Sequence, residues 1–523
     1  MRSVYAICIL CLLGLCAGLR ATNTPGLDKA QLRGKQIYLQ GTSASGSPIT
    51  ANLGEDPNRV PGAAFPCANC HGRNGQGKPE GGTVPSDIRW TSLAKPYELT
   101  LSSGRKRGPY TEHLVKRAIT LGFDSSNNAL SAAMPRFQMS QSDLVDLLAY
   151  MKILGSEADP GVADDQLRIG VILPPRRLAK MHDAVESVLK TYFEQVNRQG
   201  GIFGRRLEMR SLDYPEFAEE RGRKIRDFLA AENIFALASS FMAGDEAALA
   251  PIFQETETPV VGAFALFPQM AAPLNPFVFY LDEGMIGQVK ALAGFAAKRF
   301  HQAGGQPAII YADNPSSRQL ADAVEQECKQ LGMAAPLRVM ISGESKTGDH
   351  VLRQIAQARS IFWLLPYSAL RTVLQQAGES AVHASFLIPS ALAQNDTVAA
   401  PSFMNGRIFM ASPALPLGLS ENLGAAEFRN LSAEQRAALA GARTLVEALK
   451  RTGRELSREA LIETLEHLSS FDTGLAPPLS YSPNQRAGNT AIQIMGLKNG
   501  AMTLEQVETL EQMDQREKVE KQN

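Results

Sequence analysis

Residues 67–71 read CANCH, so that Cys67 and Cys70 stand three positions apart and His71 follows directly. This spacing is a signature of covalent haem attachment, because two thiols can add to the haem vinyl groups while the adjacent imidazole reaches the iron. A zinc site needs four ligands, and a thioredoxin-like dithiol opens a helix after a strand. Beyond the first 21 residues, which are predicted to be removed, Cys328 is the one further thiol that a zinc site could use, and no strand is predicted before Cys67. The sequence therefore predicts one covalently bound haem c.

The N-terminus predicts export to the periplasm. Arg2 precedes an apolar run from Val4 to Leu15, and small residues follow at positions 17–21. This run is too short to cross a bilayer, so it indicates a cleaved signal peptide. Lipid attachment at Cys16 is the weaker alternative, because the preceding leucine is large for such a site. No later stretch has the length of a spanning helix, so no membrane span is expected in the mature chain.

The composition is that of an ordinary globular protein. The 523 residues are 44% hydrophobic and 20% charged, with 53 basic and 53 acidic side chains. Such a balance gives no sign of nucleic acid as a partner. Changes in composition along the chain predict a signal peptide, a helical domain, an acidic linker, an α/β domain and a charged, solvated tail at residues 1–21, 22–156, 157–166, 167–503 and 504–523.

The helical domain has a candidate for the second axial ligand of the haem iron. Amphipathic helices are predicted near Leu27–Gly41, Glu112–Leu121 and Ser142–Leu154. Met134, followed by proline, lies 63 positions after His71 and just before the last helix. Together with the CANCH motif, this order resembles the class I cytochrome c domain over about residues 28–155.

The cytochrome resemblance implies an electron carrier. It gives Cys67 and Cys70 to the covalent haem bonds and His71 and Met134 to the iron. Met139 is the rival ligand, and a core packing role is the ordinary alternative for either methionine. Iron held by histidine and methionine has a raised potential and no free coordination site, which favours electron transfer over oxygen chemistry.

The larger domain alternates strands with helices. Arg168–Leu173 and Arg206–Leu212 are predicted strands on either side of a helix at His182–Gln199, and the alternation continues beyond residue 360. Such alternation predicts parallel sheets. More than 300 residues are too many for one sheet, so two α/β lobes are expected. The fold class is therefore multidomain: an all-α N-terminal domain followed by a two-lobed α/β fold.

The α/β domain resembles the type I periplasmic binding proteins of the leucine-binding kind. Six stretches carry this resemblance over about 330 residues: Leu167–Pro174, Asn197–Asp213, Ala236–Phe241, Thr258–Leu266, Asn275–Gln288 and Phe471–Ile494. It implies a small-molecule ligand in a cleft between two lobes. It also makes an ABC permease a possible partner.

Parallel α/β sheets bind ligands beyond the carboxyl ends of their strands. The expected ligand-binding residues at such ends are Ser239, Ser240, Ala263, Phe264, Tyr311 and Tyr367. Helix capping is the alternative for the two serines, and core packing is the alternative for the aromatic residues. By the resemblance, the region Phe386–Asp396 should carry an acidic partner for a ligand ammonium, but it has Ser390 and Ala391 at the expected place, and Asp396 lies too far along the chain. We therefore expect a neutral or anionic, partly apolar ligand.

Three functions are consistent with these features of the sequence. The favoured one is an exported electron carrier fused to a solute-binding module, working with a redox partner protein in the periplasm such as a dehydrogenase. The second is the substrate-binding component of an ABC importer with an accessory cytochrome. The third is an enzyme whose haem oxidises the bound molecule. No catalytic residues are predicted, because neither paired carboxylates nor a nucleophile motif occurs in the sequence.

Overall fold

The computed structural model describes residues 27–53, 59–77, 85–101, 103–156, 158–300, 306–341, 353–376, 383–393, 400–413 and 431–509. The predicted signal peptide lies outside these residues. Contacts divide the chain into two compact units, Met1–Glu157 and Ala158–Asn523. Among the described residues, no helix combines the length and the apolar character that a bilayer crossing requires.

The first unit is built from short helices around one hydrophobic core. Its described helices are α1 (Lys29–Gln40), α2 (Cys67–His71), α3 (Trp90–Leu93), α4 (Glu112–Leu121) and α5 (Gln141–Met151). Its described strands are β1 (Thr50–Asn52), β2 (Val60–Pro61), β3 (Leu99–Thr100), β4 (Lys106–Arg107) and β5 (Arg136–Gln138). β1 lies between β2 and β5 in an antiparallel sheet, and β3 pairs with β4.

The packing of α1 against α5 organises this unit. A Cβ atom added to Gly34 of α1 would lie 2.0 Å from the carbonyl oxygen of Asp146, so only glycine permits the approach. Arg33 binds the Asp146 carboxylate through two hydrogen bonds of 2.6 and 2.8 Å. Tyr38 and Tyr150 lie with ring centroids 5.6 Å apart. The predicted helices are confirmed, each within a few residues of its expected ends.

The second unit contains thirteen described strands and eight described α-helices. The strands are β6 (Gln166–Leu173), β7 (Arg206–Asp213), β8 (Ala236–Ala238), β9 (Val260–Ala263), β10 (Val278–Asp282), β11 (Ala308–Ala312), β12 (Leu337–Ile341), β13 (Ser360–Leu364), β14 (Ser385–Pro389), β15 (Ile408–Ser412), β16 (Ala487–Asn489), β17 (Ala491–Lys498) and β18 (Ala501–Thr509). The helices are α6 (Ala179–Arg198), α7 (Ala218–Ala231), α8 (Glu246–Glu255), α9 (Gly284–Phe300), α10 (Pro315–Gln330), α11 (Tyr367–Gln376), α12 (Ala433–Thr452) and α13 (Arg458–Glu466).

These strands form the two expected sheets. The first has the order β16-β10-β9-β8-β6-β7 and is parallel throughout. One of its faces packs on α6, α12 and α13, and the other packs on α7 and α8. The second sheet has the order β12-β11-β13-β14-β15-β17-β18, with β17 and β18 antiparallel to their neighbours. The two-lobed α/β fold is therefore confirmed.

The structure departs from the expected solvated tail, residues 504–523, in the first six of these residues. Residues 504–509 belong to β18, which pairs with β17 at the edge of the second sheet, and residues 510–523 lie outside the described part. The two charged side chains of β18 are paired: Glu508 accepts hydrogen bonds from Lys298 of α9 at 2.6 and 2.7 Å, and Glu505 forms an ion pair with Lys498 at 2.6 Å. Inward-facing charge is a common feature of edge strands, and it hides their alternation from sequence analysis.

Candidate functional site

The haem-attachment motif forms α2, a short helix of about one and a half turns. Residues three positions apart lie on the same face of a helix, so Cys67 and Cys70 face the same side. Cys67 is half-buried against the core of the first unit, whereas Cys70 is exposed. The helix ends at Gly72, which has a φ of 72°. This placement lets both thiols meet one flat cofactor.

His71 is oriented by a hydrogen bond to the main chain. Its Nδ1 lies 3.0 Å from the carbonyl oxygen of Ser86 and donates to it. Burial lowers the pKa of His71, so the ring is neutral and Nε2 keeps a free lone pair. A fixed tautomer with one nitrogen free is the usual state of a metal-binding histidine.

The loop after α2 is fixed from several sides. The Tyr38 hydroxyl donates to the carbonyl oxygen of Gly72 at 2.6 Å. The amide of Gly77 donates to the carbonyl oxygen of His71 at 2.8 Å. A Cβ atom at Gly77 would lie 2.2 Å from the carbonyl oxygen of Pro85, so the chain passes too close for any other residue. These contacts bring Ser86 beside the His71 ring.

The residues present fit a haem c. Burial raises the pKa of the Cys67 thiol to about 12, whereas a redox-active dithiol needs a lowered thiol pKa. The described residues contain no group of three or more histidine, cysteine, aspartate or glutamate side chains suited to a metal ion. The expectation that no strand precedes Cys67 was wrong, but β2 belongs to an antiparallel sheet and not to the βα unit of a thioredoxin.

The two candidate methionines lie in different surroundings. Met134 is half-buried at the end of a turn in which its amide donates to the carbonyl oxygen of Ser131 at 3.1 Å. Met139 packs against the hydrophobic core of the first unit. The core role noted for either methionine therefore suits Met139. The assignment of Met134 to the iron stays a prediction.

A pocket of about 160 Å³ lies at the carboxyl ends of β9 and β10 in the second unit. Two of the expected residues, Ala263 and Phe264, line it. The remaining lining residues are Met181, Phe241, Ala243, Ala265, Leu266, Leu281, Asp282 and Ala437. The pocket is therefore apolar apart from one carboxylate.

The two serines expected at the ligand are fully buried and bonded to the protein. The hydroxyl of Ser239 donates to the carbonyl oxygen of Ala438 in α12 at 2.6 Å. The hydroxyl of Ser240 accepts from the amide of Ile172 at 3.1 Å and donates to the carbonyl oxygen of Ala238. The described structure does not bring either hydroxyl into the pocket, so their ligand role stays a prediction.

The two tyrosines expected from the second lobe lie in its hydrophobic cores. Tyr367 is 1% exposed, and Tyr311 is 8% exposed with the guanidinium carbon of Arg338 5.0 Å from its ring centroid. Neither lines the pocket found in the described residues. Their ligand role is likewise a prediction without support from this geometry.

Asp282 is a pocket residue that sequence analysis missed. It is the last residue of β10, and its carboxylate accepts a hydrogen bond from the amide of Gly284 at 2.7 Å. Burial raises the pKa of this carboxyl to about 6. The sequence signal was available, because an acidic residue directly follows the apolar strand VFYL. The expectation of a neutral or anionic ligand depends on the absence of a suitable acid in residues 386–396 and does not take Asp282 into account.

Comparisons with known proteins agree with this architecture. The family model described as periplasmic binding protein matches residues 166–501, and the model described as cytochrome c matches residues 63–155. A search of curated proteins gave no match.

Similar solved structures include a branched-chain amino acid ABC transporter protein from Thermus thermophilus with bound valine. It is 16% identical with a TM-score of 0.53, over 66% of this chain and 97% of that one. A fatty acid ABC transporter substrate-binding protein from Thermomonospora curvata is 15% identical with a TM-score of 0.52, over 68% and 95% of the two chains. A periplasmic substrate-binding protein from Ralstonia solanacearum is 19% identical with a TM-score of 0.51, over 65% and 100%. At these identities the likeness shows the fold alone.

The family model of the binding domain covers more than half of the chain, and the fold and the topology of both sheets agree with it. The chain belongs to the periplasmic binding protein family and carries a cytochrome c domain before the binding domain.

Proposed function

We propose that this chain is an exported electron carrier with one haem c, fused to a module that binds a small, partly apolar molecule. The observation that carries the first half is the His71 ring, whose Nδ1 is bonded to Ser86 while Nε2 is free for iron. Cys67 and Cys70 would hold the haem covalently, and Met134 would fill the last position on the iron. Such a haem supplies reversible one-electron transfer at a raised potential.

The partners follow from this chemistry. A haem with both axial positions filled exchanges electrons with another protein, so the chain would work with a periplasmic redox partner such as a dehydrogenase. The binding module would close around its ligand between the lobes. Service to an ABC importer is the second candidate, supported by the shared fold with substrate-binding proteins of such transporters. Permease and ATPase genes beside this one would favour the second candidate.

The pocket favours a ligand that donates a hydrogen bond. Asp282 supplies a carboxylate, and an ionised carboxylate in an apolar pocket is stabilised by a cation or a donor. Most main-chain amides around the pocket already have acceptors: those of Ser239, Phe241, Met242, Gly244, Phe264, Leu266 and Phe267. An anionic group on the ligand would therefore find few donors. A small alkyl amine fits this balance better than an amino acid or a fatty acid.

The size of the pocket agrees with a small ligand. A closed cavity of about 150 Å³ accommodates benzene, so about 160 Å³ has room for a group of four to six heavy atoms. Ligands of matched size allow a direct test. We expect n-butylamine to bind more tightly than n-butanol, and valine and butyrate to bind weakly or not at all. The preference for n-butylamine should disappear in Asp282→Asn.

The experiment is calorimetric titration of the full haem-loaded chain, with the haem spectrum recorded at each addition. Binding of n-butylamine without a change in the haem oxidation state is the expected result. Reduction of the haem by a bound molecule would support the enzyme hypothesis and contradict the electron carrier. Binding of valine in preference to n-butylamine would contradict the proposed ligand class. Asp313→Asn, an exposed carboxylate paired with Arg318, is the matched control.

A further inference from the structure

Arg136 holds the turn that carries Met134. It stands two residues after Met134, and its guanidinium donates to three main-chain carbonyl groups. Nη2 is 3.0 Å from the oxygen of Leu130, both terminal nitrogens are 3.4 Å from the oxygen of Ser131, and Nη1 donates to the oxygen of Met134. One rigid side chain therefore spans the whole turn from residue 130 to residue 134.

Arg136 is itself held in place through both its main chain and its side chain. The main chain of Arg136 pairs with Asn52 in the sheet of β1 and β5, and the neighbouring Phe137 is 5% exposed in the core. The side chain lies against Gly122, the residue that ends α4. A Cβ atom added to Gly122 would lie 1.7 Å from Nε of Arg136, and this glycine has a φ of 74°. The side chain can lie here only because residue 122 is glycine.

The guanidinium of Arg136 binds main-chain carbonyl oxygens and not a carboxylate. Among the described residues, no carboxylate lies within ion-pair distance of it, and burial lowers its pKa. Arginine keeps its charge in proteins, so a half-buried cation here is stabilised by carbonyl oxygens alone. Hydrogen bonds from a charged donor are stronger than neutral ones, which suits a group that must fix a short turn.

We propose that Arg136 is a positioning residue for the axial methionine. This inference rests on the proposed assignment of Met134 to the haem iron. By tying the carbonyl groups of residues 130, 131 and 134 to one plane, Arg136 limits the positions open to the Met134 side chain. The thioether is a weak ligand, so its hold on iron depends on how little freedom the turn has to move it away. Loosening the turn should let an added ligand displace the sulfur more easily.

The experiment measures imidazole binding to the ferric, haem-loaded full chain, together with the weak near-infrared sulfur-to-iron band. We expect Arg136→Gln and Arg136→Lys each to bind imidazole about tenfold more tightly than the wild type, a change equivalent to about 1.4 kcal/mol. The near-infrared band should weaken in both. Lysine keeps the charge but has a single ammonium group, which cannot span three carbonyls as a planar fork does.

Two further variants separate the effect of the Arg136 hydrogen bonds, here called the clamp, from an effect on general stability. Gly122→Ala keeps Arg136 but blocks its site, so it should behave like Arg136→Gln; because a φ of 74° also strains alanine, its thermal midpoint is measured alongside. Arg33→Lys changes an arginine that also makes two short hydrogen bonds in the first unit, to Asp146, and it should leave imidazole binding unchanged. Haem content and circular dichroism confirm that each variant is folded. If Arg136→Gln does not fold, Arg136→Lys and Gly122→Ala carry the test.

The outcomes separate this inference from the proposed function. Met134→Ala should abolish the near-infrared band, and Met139→Ala should keep it. If Met139→Ala abolishes the band instead, the proposed ligand is wrong. If Met134→Ala abolishes it while the Arg136 variants bind imidazole like the wild type, only the positioning role is wrong. Wild-type behaviour of Arg136→Lys alone would mean that charge and not geometry matters, and would also overturn the inference.

Discussion

Asp282 shows how burial at one residue sets both a binding preference and a dependence on pH. Its carboxyl pKa is raised to about 6 from an ordinary 3.8, because the group is withdrawn from water. A carboxyl group with a raised pKa takes up protons on folding. Its contribution therefore favours the folded state below about pH 4 and is lost as the pH rises through about 6. At neutral pH this carboxyl group is ionised, and the described residues that line the pocket include no cation to pair with it.

Asp282→Asn should therefore stabilise the second unit at high pH alone. Asparagine keeps an acceptor for the Gly284 amide but carries no charge to bury. We expect the free energy of unfolding at pH 8 to rise by at most about 3 kcal/mol over the wild type, since one pKa unit is worth about 1.4 kcal/mol. At pH 4 the two proteins should unfold alike. Urea titrations at both values measure this, and an equal difference at both would contradict the role given to burial.

At the scale of elements, the contact of α12 with β9 depends on two glycines. A Cβ atom at Gly262 would lie 2.3 Å from the Cα atom of Gly441, and one at Gly441 would lie 2.5 Å from Oγ of Ser239. The helix therefore approaches the sheet closely enough for its Ala438 carbonyl to bind the Ser239 hydroxyl. This contact keeps the hydroxyl bonded to protein and makes the pocket less polar than the strand-end sequence suggests.

Gly441→Ala should weaken the second unit although alanine favours helices. Overpacking costs about 1–3 kcal/mol, and the gain in helix propensity offsets up to about 1 kcal/mol of that. We expect a net loss of about 1 kcal/mol in the free energy of unfolding. Gly222→Ala in α7 is the matched control, because its new methyl would meet only the ends of the Arg226 and Ile252 side chains. That variant should be as stable as the wild type or more so.

The sequence predicted elements where local pattern decides the structure. The apolar run at residues 168–173 forms most of β6, and the three predicted helices of the first unit are α1, α4 and α5. Long-range contacts could not be predicted in this way. The partner of Ser239 lies 199 positions further along the chain, and the charges of β18 are balanced by α9 more than 200 positions earlier. Haem attachment could be predicted from the CANCH motif alone, because its spacing is specific. The hydrogen bonds of Arg136 to the turn before Met134 have no such signature in the sequence.

At the scale of the whole molecule, each unit has its own hydrophobic core. A fused pair of this kind should unfold in two steps, each governed by what its own unit binds. With Met134 as the proposed iron ligand, reduction should strengthen the bond between its sulfur and the iron, since soft ligands favour the lower oxidation state. A ligand of the second unit adds RT ln(1 + [L]/Kd) to that unit alone, about 2.7 kcal/mol at a hundredfold excess over Kd.

Two tryptophans, Trp90 in the first unit and Trp363 in the second, can follow the two steps separately. In thermal unfolding of the full haem-loaded chain, we expect haem reduction to raise the midpoint seen by haem absorbance and to leave that of Trp363 fluorescence unchanged in a Trp90→Phe background. n-Butylamine should raise only the second midpoint. A midpoint that responds to both would mean that ligand binding and haem potential are coupled. Linkage would then require the oxidation state to change the ligand affinity by the same factor as the ligand changes the redox equilibrium.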